Sequence, residues 1–519
     1  MKVPLHRILL CFVALLPIAC SVNPVTGESQ LSLISTAQEV ALGEKNYQPS
    51  QQSQGGQYRV DPGVQAYVAE VGRNLAAVSD APALPYEFVV LNNSVPNAWA
   101  LPGGKIAINR GLLVLLQDES ELAAVMGHEI VHAAARHGAT QMTRGTLLNV
   151  GSQIATIAAS TQGYGQIAGL ASQIGGGAYL AKYGREAELE SDYYGMGYMA
   201  KAGYSPVGAV RLQELFVSLK GDKTADFFSQ LFASHPPSQE RVLANRKRAA
   251  TLPSGKAYKA RYQKKIAQLL KDRDAYKAYE EAIAALKDKR AKAALTLLDK
   301  AVAIQPNEGQ FWELRGLAWE MLDNPANAEK AFSTAIRKSS DYFSPKLYRG
   351  MLRYTEGNKS GAAADLKASY ALLPTRTAAF YLGELSLAQG DRSGALNYYR
   401  SASAGNDDIG SEAQTRIATL ELAQQPARYL LSKAYVAANG YLKVAVKNNS
   451  TVAVEGVKVQ LGRLQTNGVV GQVRTLKGSY KLSPGQEISI NTNIGPFTST
   501  AGANAYRSKV TAARPAKRS

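Results

Sequence analysis

Glu119-Ser-Glu-Leu-Ala-Ala-Val-Met-Gly-His-Glu-Ile-Val-His-Ala-Ala-Ala-Arg-His-Gly138 decides how the rest of the chain is read. Its centre, His128-Glu129-Ile130-Val131-His132, is an HExxH motif, and three of the chain's five histidines lie between 128 and 137. Leu122, Val125, Met126 and Val131 are apolar at three- and four-residue steps, which predicts a helix with Gly138 as its stop. On that helix His128 and His132 are one turn apart and point the same way. Two neutral imidazoles on one face suit Zn²⁺, and Glu129 then stands beside the metal to handle protons. A core helix with two hydrogen-bonded histidines is the plainer alternative for this segment alone.

An HExxH zinc takes a third protein ligand, and a downstream Glu is one common solution. Residues 185–195, Arg-Glu-Ala-Glu-Leu-Glu-Ser-Asp-Tyr-Tyr-Gly, alternate three glutamates, of which a helix aims only one squarely at the metal. Glu188 and Asp192 are one turn apart, and Gly195, Met196 and Met199 continue their face. Glu188 is therefore the expected ligand and Asp192 the group that orients a ligand histidine, with Glu186 and Glu190 pointing elsewhere. Residues 139–183, between the two motifs, are small and Gly-rich. They are read either as closely packed helices or as a lid hinged at Gly175-Gly176-Gly177.

The chain has 519 residues, 45% hydrophobic and 19% charged, a composition of folded protein with length for three or four domains. Its net charge of +18 favours anionic surfaces. No nucleic-acid motif is present, so envelope lipids are the expected anions rather than nucleic acid. Lys2, His6 and Arg7 precede an apolar run, Ile8 to Ala19, too short to span a bilayer. The run ends Leu16-Pro17-Ile18-Ala19-Cys20, similar to a bacterial lipoprotein signal (residues 1–19) cut before Cys20, whose thiol is then lipidated. Pro17 departs from that pattern, and a conventional signal peptidase cutting nearby is the competing reading. Either way Cys11 is removed, leaving no disulfide pair. Ser21, rather than Asp, follows the cysteine, similar to the sorting choice for the outer membrane of a Gram-negative cell.

Downstream, a helix is expected over 37–47, a mobile polar loop over 48–57, an amphipathic helix over 62–79, and a strand over 86–91. Two short strands flank the Pro-Gly-Gly turn of Pro96-Asn-Ala-Trp-Ala-Leu-Pro-Gly-Gly104, the second running on through Lys105-Ile-Ala-Ile108. Together with Asn23-Pro-Val-Thr-Gly27, the HExxH motif, Glu188-Leu-Glu-Ser-Asp192 and Ser234-His-Pro-Pro-Ser-Gln-Glu-Arg241, in this order, residues 21–250 resemble the HtpX/BepA-like zinc metallopeptidases. The nearest likeness is to the periplasmic subgroup that joins a peptidase domain to tetratricopeptide repeats. The resemblance implies His128, His132 and Glu188 as ligands of one Zn²⁺ and Glu129 as the base. It implies His235 as a loop histidine that approaches the zinc, as a fourth ligand in a closed state or to steady the intermediate. Arg241 is implied to help shape the site, and either it or His235 could stabilise an oxyanion. Asn97, Ala98, Trp99 and Ala100 form a candidate edge strand to which an extended substrate could add.

From about 275 the chain repeats every 34 residues, the last interval being 33. Small residues recur at Ala282, Gly316, Gly350 and Gly383, alanines at Ala294, Ala328, Ala362 and Ala395, and large residues at Leu298, Phe332, Leu366 and Tyr399. This resembles tetratricopeptide repeats, four helix pairs forming a solenoid that binds partners or braces the peptidase. Beyond 430 the apolar period falls to two, with Asn-, Gly- and Pro-rich turns, and a small β-sandwich is expected.

The expected fold is thus multidomain and mainly α. A signal peptide (1–19) precedes an α+β zincin-like peptidase domain (20–255), a connecting helix (256–274), the repeats (275–428), the sandwich (430–497) and a basic disordered tail (498–519). The expected function is that of a zinc endopeptidase in the periplasm, anchored to the outer membrane. Its substrates would be polypeptides, with the repeats recruiting clients or the outer-membrane protein assembly machinery. The alternative is a chaperone or assembly scaffold whose peptidase site is largely latent.

Overall fold

The computed structural model describes residues 20–144, 183–220, 228–405, 407–465, 470–477 and 480–516. The expected signal peptide and most of the expected Gly-rich lid lie outside them. Two compact units divide at Pro345.

In the first unit, β1 (Cys20–Val22) and β2 (Ser29–Leu31) form an antiparallel hairpin. Helices α1 (Thr36–Ser53) and α2 (Pro62–Ala76) lead to a three-stranded sheet of β3 (Glu87–Leu91), β4 (Ala98–Leu101) and β5 (Lys105–Asn109) in the order β3-β5-β4. β3 runs parallel to β5 and β4 antiparallel to it. The turn between β4 and β5 needs glycine: Gly103 has φ +78°, and a Cβ there would lie 2.6 Å from the Val40 Cα.

The HExxH helix, α3 (Glu119–Ala134), starts under a cap in which Asp118 accepts from Ser120 N and Glu121 N. All of its residues are buried, and Leu122, Met126, Ile130 and Val131 enter the core of this unit. It ends four residues before the expected stop at Gly138. Arg136 turns left-handed (φ 61°), held by a bond from its Nε to Glu39 Oε1 (2.6 Å) and one to the Ile34 carbonyl (2.7 Å). The helix α4 (Arg185–Lys201) crosses α3 where two glycines meet. A Cβ on Gly195 would stand 3.0 Å from His128 N, so their absence lets Glu188 close on the motif. Helices α5 (Val207–Lys220), α6 (Ser229–Ser234) and α7 (Gln239–Ala249) complete this part.

Three expectations change in this unit. Gln48–Ser53 is the end of α1, not a mobile loop, because Gln52 donates to the Asp341 carbonyl (2.8 Å) and accepts from Phe343 N (2.9 Å). The connecting helix over 256–274 is two short helices, α8 (Lys259–Lys265) and α9 (Ala267–Lys271). The first two repeat pairs, α10 (Arg273–Lys287) with α11 (Ala291–Ile304) and α12 (Gly309–Met321) with α13 (Pro325–Lys338), belong to the peptidase unit. Tyr276, Leu298, Phe311 and Leu314 share a core with Val68, Met126 and Ile130, and Arg110 lies over the Tyr276 ring.

The second unit begins within α14 (Ser344–Thr355) and holds α15 (Lys359–Leu372), α16 (Arg376–Ala388), α17 (Arg392–Ala402) and α18 (Asp408–Glu421). In both units the small-to-large pairing read from the repeats is physical contact. A Cβ on Gly316 would fall 2.3 Å from the Phe332 ring, and one on Gly383 2.6 Å from the Tyr399 ring. Gly316→Val is therefore expected to cost about 1–3 kcal/mol by overpacking, read as a lower unfolding midpoint. Wild-type stability would contradict that packing.

The sandwich consists of two three-stranded sheets. One is β6 (Leu430–Val436), β7 (Leu442–Asn448) and β10 (Glu487–Ile494); the other is β8 (Val454–Leu464), β9 (Val470–Lys477) and β11 (Tyr506–Pro515). Val444, Val446 and Ile490 meet Val457, Val459, Leu461 and Val510 in one core. The expected disordered tail is corrected here: most of 498–516 is β11 and a 3₁₀ turn before it. Val510 and Ala513 are buried while Arg507 and Lys509 face out, so the basic residues are the solvent side of a strand.

Candidate metal centre

His128 and His132 present their Nε2 atoms to one point, 3.0 Å apart. From α4, Glu188 Oε1 lies 3.3 Å from His132 Nε2 and Oε2 lies 3.5 Å from His128 Nε2. From the loop after α6, His235 Nδ1 lies 3.2 Å from His128 Nε2 and 3.1 Å from Glu188 Oε1. One donor atom from each of the four residues falls within 4.8 Å of the others, all in a buried setting. Adjacent ligands in a tetrahedral shell with bonds of about 2.0–2.1 Å stand roughly 3.3 Å apart, so these separations fit a zinc-sized cation.

The hydrogen bonding around the rings agrees. Asp192 Oδ1 lies 2.9 Å from His128 Nδ1, and a carboxylate only accepts, so Nδ1 carries a proton and Nε2 is the nitrogen turned to the cluster. At 3.0 Å the two Nε2 atoms need a positive charge between them, a proton or a metal ion. The charges agree as well. Among the described residues, Glu129, Glu188 and Asp192 face one guanidinium, that of Arg241. Burial opposes charge on His128, yet Glu188 and Asp192 outweigh it and push its pKa up to about 10, so the site draws in positive charge.

Glu129 is 2% exposed. Its Oε1 is 3.4 Å from His235 Nε2, its Oε2 has no hydrogen-bond partner, and burial raises its pKa. Arg241 is fully engaged: Nε and Nη2 hold both Asp192 oxygens at 2.7 Å, and Nη1 meets Glu188 Oε2 at 2.7 Å and the Pro236 carbonyl at 3.2 Å. It shapes the site rather than reaching out to an oxyanion. Residues 97–100 line the sheet edge nearby. β4 pairs with β5 alone among the described strands, its residues are buried, and Asn97 Oδ1 has no partner. Glu186 is exposed, as expected. Tyr183 stacks on the His132 ring (centroids 3.8 Å, 18°) and Asn245 reaches Asp192 Oδ2 (3.4 Å), and neither carried a sequence signal. His137, bonded to His132 at 2.9 Å, was also missed, although it lies in the first stretch quoted.

The model of peptidase family M48 matches residues 62–249. The metalloprotease YcaL of Escherichia coli K12 is 30% identical over 260 residues, which cover 46% of this chain and 97% of that protein. The chain belongs to peptidase family M48. Two other relatives match over less of their length. Mitochondrial metalloendopeptidase OMA1 of Schizosaccharomyces pombe is 34% identical over 180 residues, 34% of this chain and 50% of that protein. A putative beta-barrel assembly-enhancing protease of Vibrio cholerae is 32% identical over 202 residues, 37% of this chain and 40% of that protein. This M48 chain thus spans half or less of those two relatives. The M48 match takes in α2 through α7, and so every element that carries the four-residue cluster.

Proposed function

We propose that the protein is a zinc-dependent endopeptidase of the bacterial periplasm, with one zinc per chain held by His128, His132 and Glu188. The observation that carries this reading is the convergence of those three residues with Glu129 beside them. A zinc ion held there would lower the pKa of a bound water towards about 7 and polarise the scissile carbonyl. Glu129 accepts the proton of the attacking water and returns it to the leaving amine, a task suited by its unpartnered oxygen and raised pKa. Asp192 holds the His128 ring in its metal-facing tautomer, and Arg241 braces Asp192. Extended substrate is assigned to the unpaired edge of β4 at Asn97–Ala100, which is buried here, so that binding must displace what covers it; pairing there reads backbone more than side chain. That mode suits misfolded or unassembled envelope proteins.

The client class and the compartment are supported by the name of the Vibrio cholerae relative, by the net positive charge and by the lipoprotein-like signal before Cys20. No helix among the described residues is long and apolar enough to cross a membrane. Anchoring to the outer membrane is assigned to lipidated Cys20, and recruitment of clients or of the assembly machinery to the repeats. The second reading, an assembly scaffold with a latent site, is favoured by His235, whose Nδ1 fills the place a substrate or water would take. We assign it as a latch.

The test is zinc content and cleavage of an unfolded outer-membrane protein by wild type, His132→Ala and His235→Ala. Wild type binds one zinc and cuts slowly, His132→Ala loses both, and His235→Ala keeps zinc and cuts faster. A zinc-free wild type would overturn the metallopeptidase reading, and a dead His235→Ala would make His235 catalytic instead of a latch.

A further inference from the structure

Asn23-Pro-Val-Thr-Gly27 has no part in the chemistry above, yet it stands in hydrogen-bonded series with a metal ligand. The five residues are the turn of the β1–β2 hairpin, in which Gly27 (φ +75°) donates to the Asn23 carbonyl at 2.9 Å. The Asn23 side chain is 6% exposed, and its Oδ1 caps the turn by accepting from Val25 N at 2.9 Å. That fixes its amide, whose Nδ2 donates to Glu190 Oε1 at 2.9 Å, 167 residues away. The same Glu190 oxygen lies 3.3 Å from His137 Nε2. Across the His137 ring, Nδ1 lies 2.9 Å from His132 Nδ1.

The proton directions follow from the end of the series. A carboxylate accepts, so His137 carries its proton on Nε2 and its Nδ1 is bare. His132 must then donate from Nδ1, which leaves its Nε2 bare and aimed at the cluster. His128 is backed by a carboxylate directly, through Asp192; His132 is backed by one through a second imidazole. The left-handed Arg136 is what makes this possible. It ends α3 so that the ring five residues after His132 folds back beneath it. Arg136 itself is tied to Ser32 and Ile34, just past β2.

We infer that Asn23, Glu190 and His137 are positioning residues that hold His132 in its metal-binding tautomer, so that docking of the hairpin after Cys20 sets the metal affinity of the centre. This rests on the zinc reading above. It also gives the third alternating glutamate a role: Glu190 serves the ligand from behind while Glu188 serves the metal.

The test titrates zinc into the full chain against a competing chelator. His137→Leu is expected to weaken binding by roughly 10–100-fold, the usual effect of losing such a partner. His137→Asn, whose Oδ1 can accept from His132 Nδ1, recovers most of that loss. Asn23→Asp keeps the cap on Val25 but sets a carboxylate against Glu190, and weakens zinc by a smaller factor. In metal-free protein, ¹⁵N-histidine NMR finds His132 as the Nδ1–H tautomer in wild type and shifted towards Nε2–H in His137→Leu. Wild-type affinity in His137→Leu overturns the inference. So does equal weakening in the Leu and Asn variants with an unchanged His132 tautomer, the mark of a merely structural residue. Wild-type affinity in Asn23→Asp removes the hairpin from the series. A wild type that binds zinc but cuts no substrate leaves this inference standing and sinks only the peptidase reading.

Discussion

Glu129→Gln is expected to lose roughly 10²–10⁴-fold in peptide hydrolysis, the usual contribution of a positioned general base, while its zinc content and unfolding midpoint stay at wild-type values. The substitution keeps shape and volume. It removes only the ability to take a proton, because an amide oxygen is a far weaker base than a carboxylate. Three features of Glu129 concentrate the effect there. It directly follows His128, it is 2% exposed, and one of its oxygens has no competing partner. The measurement is cleavage of an unfolded outer-membrane protein with bound zinc quantified in the same samples. His235→Ala raises activity only when Glu129 is intact, so the double variant stays as slow as Glu129→Gln. Cleavage at the wild-type rate by Glu129→Gln would remove Glu129 from the reaction.

That His128, His132 and Glu188 would meet in one cluster was legible because each rests on local periodicity. His128 and His132 are related by one turn, and Glu188 and Asp192 by another. Only the crossing of the two helices was nonlocal, and that depends on Gly127 and Gly195, which meet backbone to backbone. The repeats were legible for a similar reason. Each small residue and its large partner, such as Gly316 and Phe332, lie within one helix pair. What escaped depends on distant partners. Gln52 reads as loop until Asp341 and Phe343 satisfy its amide. β11 reads as a basic tail because its charges fall on the solvent face and only Val510 and Ala513 mark the core side. His137 escaped because helical periodicity was carried past Arg136, where the backbone turns left-handed. A compositional hint was available: all four histidines among the described residues lie in the site.

Arg241→Ala is expected to destabilise the metal-free protein by about 3–5 kcal/mol, the cost of leaving a buried charge without its partner. Arg241 is 3% exposed and meets both oxygens of Asp192 and one of Glu188, so its removal strands two buried carboxylates. Zinc changes the account at one of them. A cation bound between His128, His132 and Glu188 meets the Glu188 charge and leaves only Asp192 exposed to the loss. The destabilisation measured in saturating zinc is therefore smaller than that measured in chelator. A thermodynamic cycle ties the difference to affinity: each 1.4 kcal/mol by which zinc softens the loss is a tenfold tighter zinc constant in the variant. Arg241→Ala thus binds zinc at least as tightly as wild type while folding less stably, the reverse of the pattern expected for His137→Leu. Denaturant unfolding in both conditions, with zinc titrations of the same proteins, checks both sides of the cycle. Equal destabilisation with and without zinc would mean that Glu188 does not face the cation, and would take it out of the ligand set.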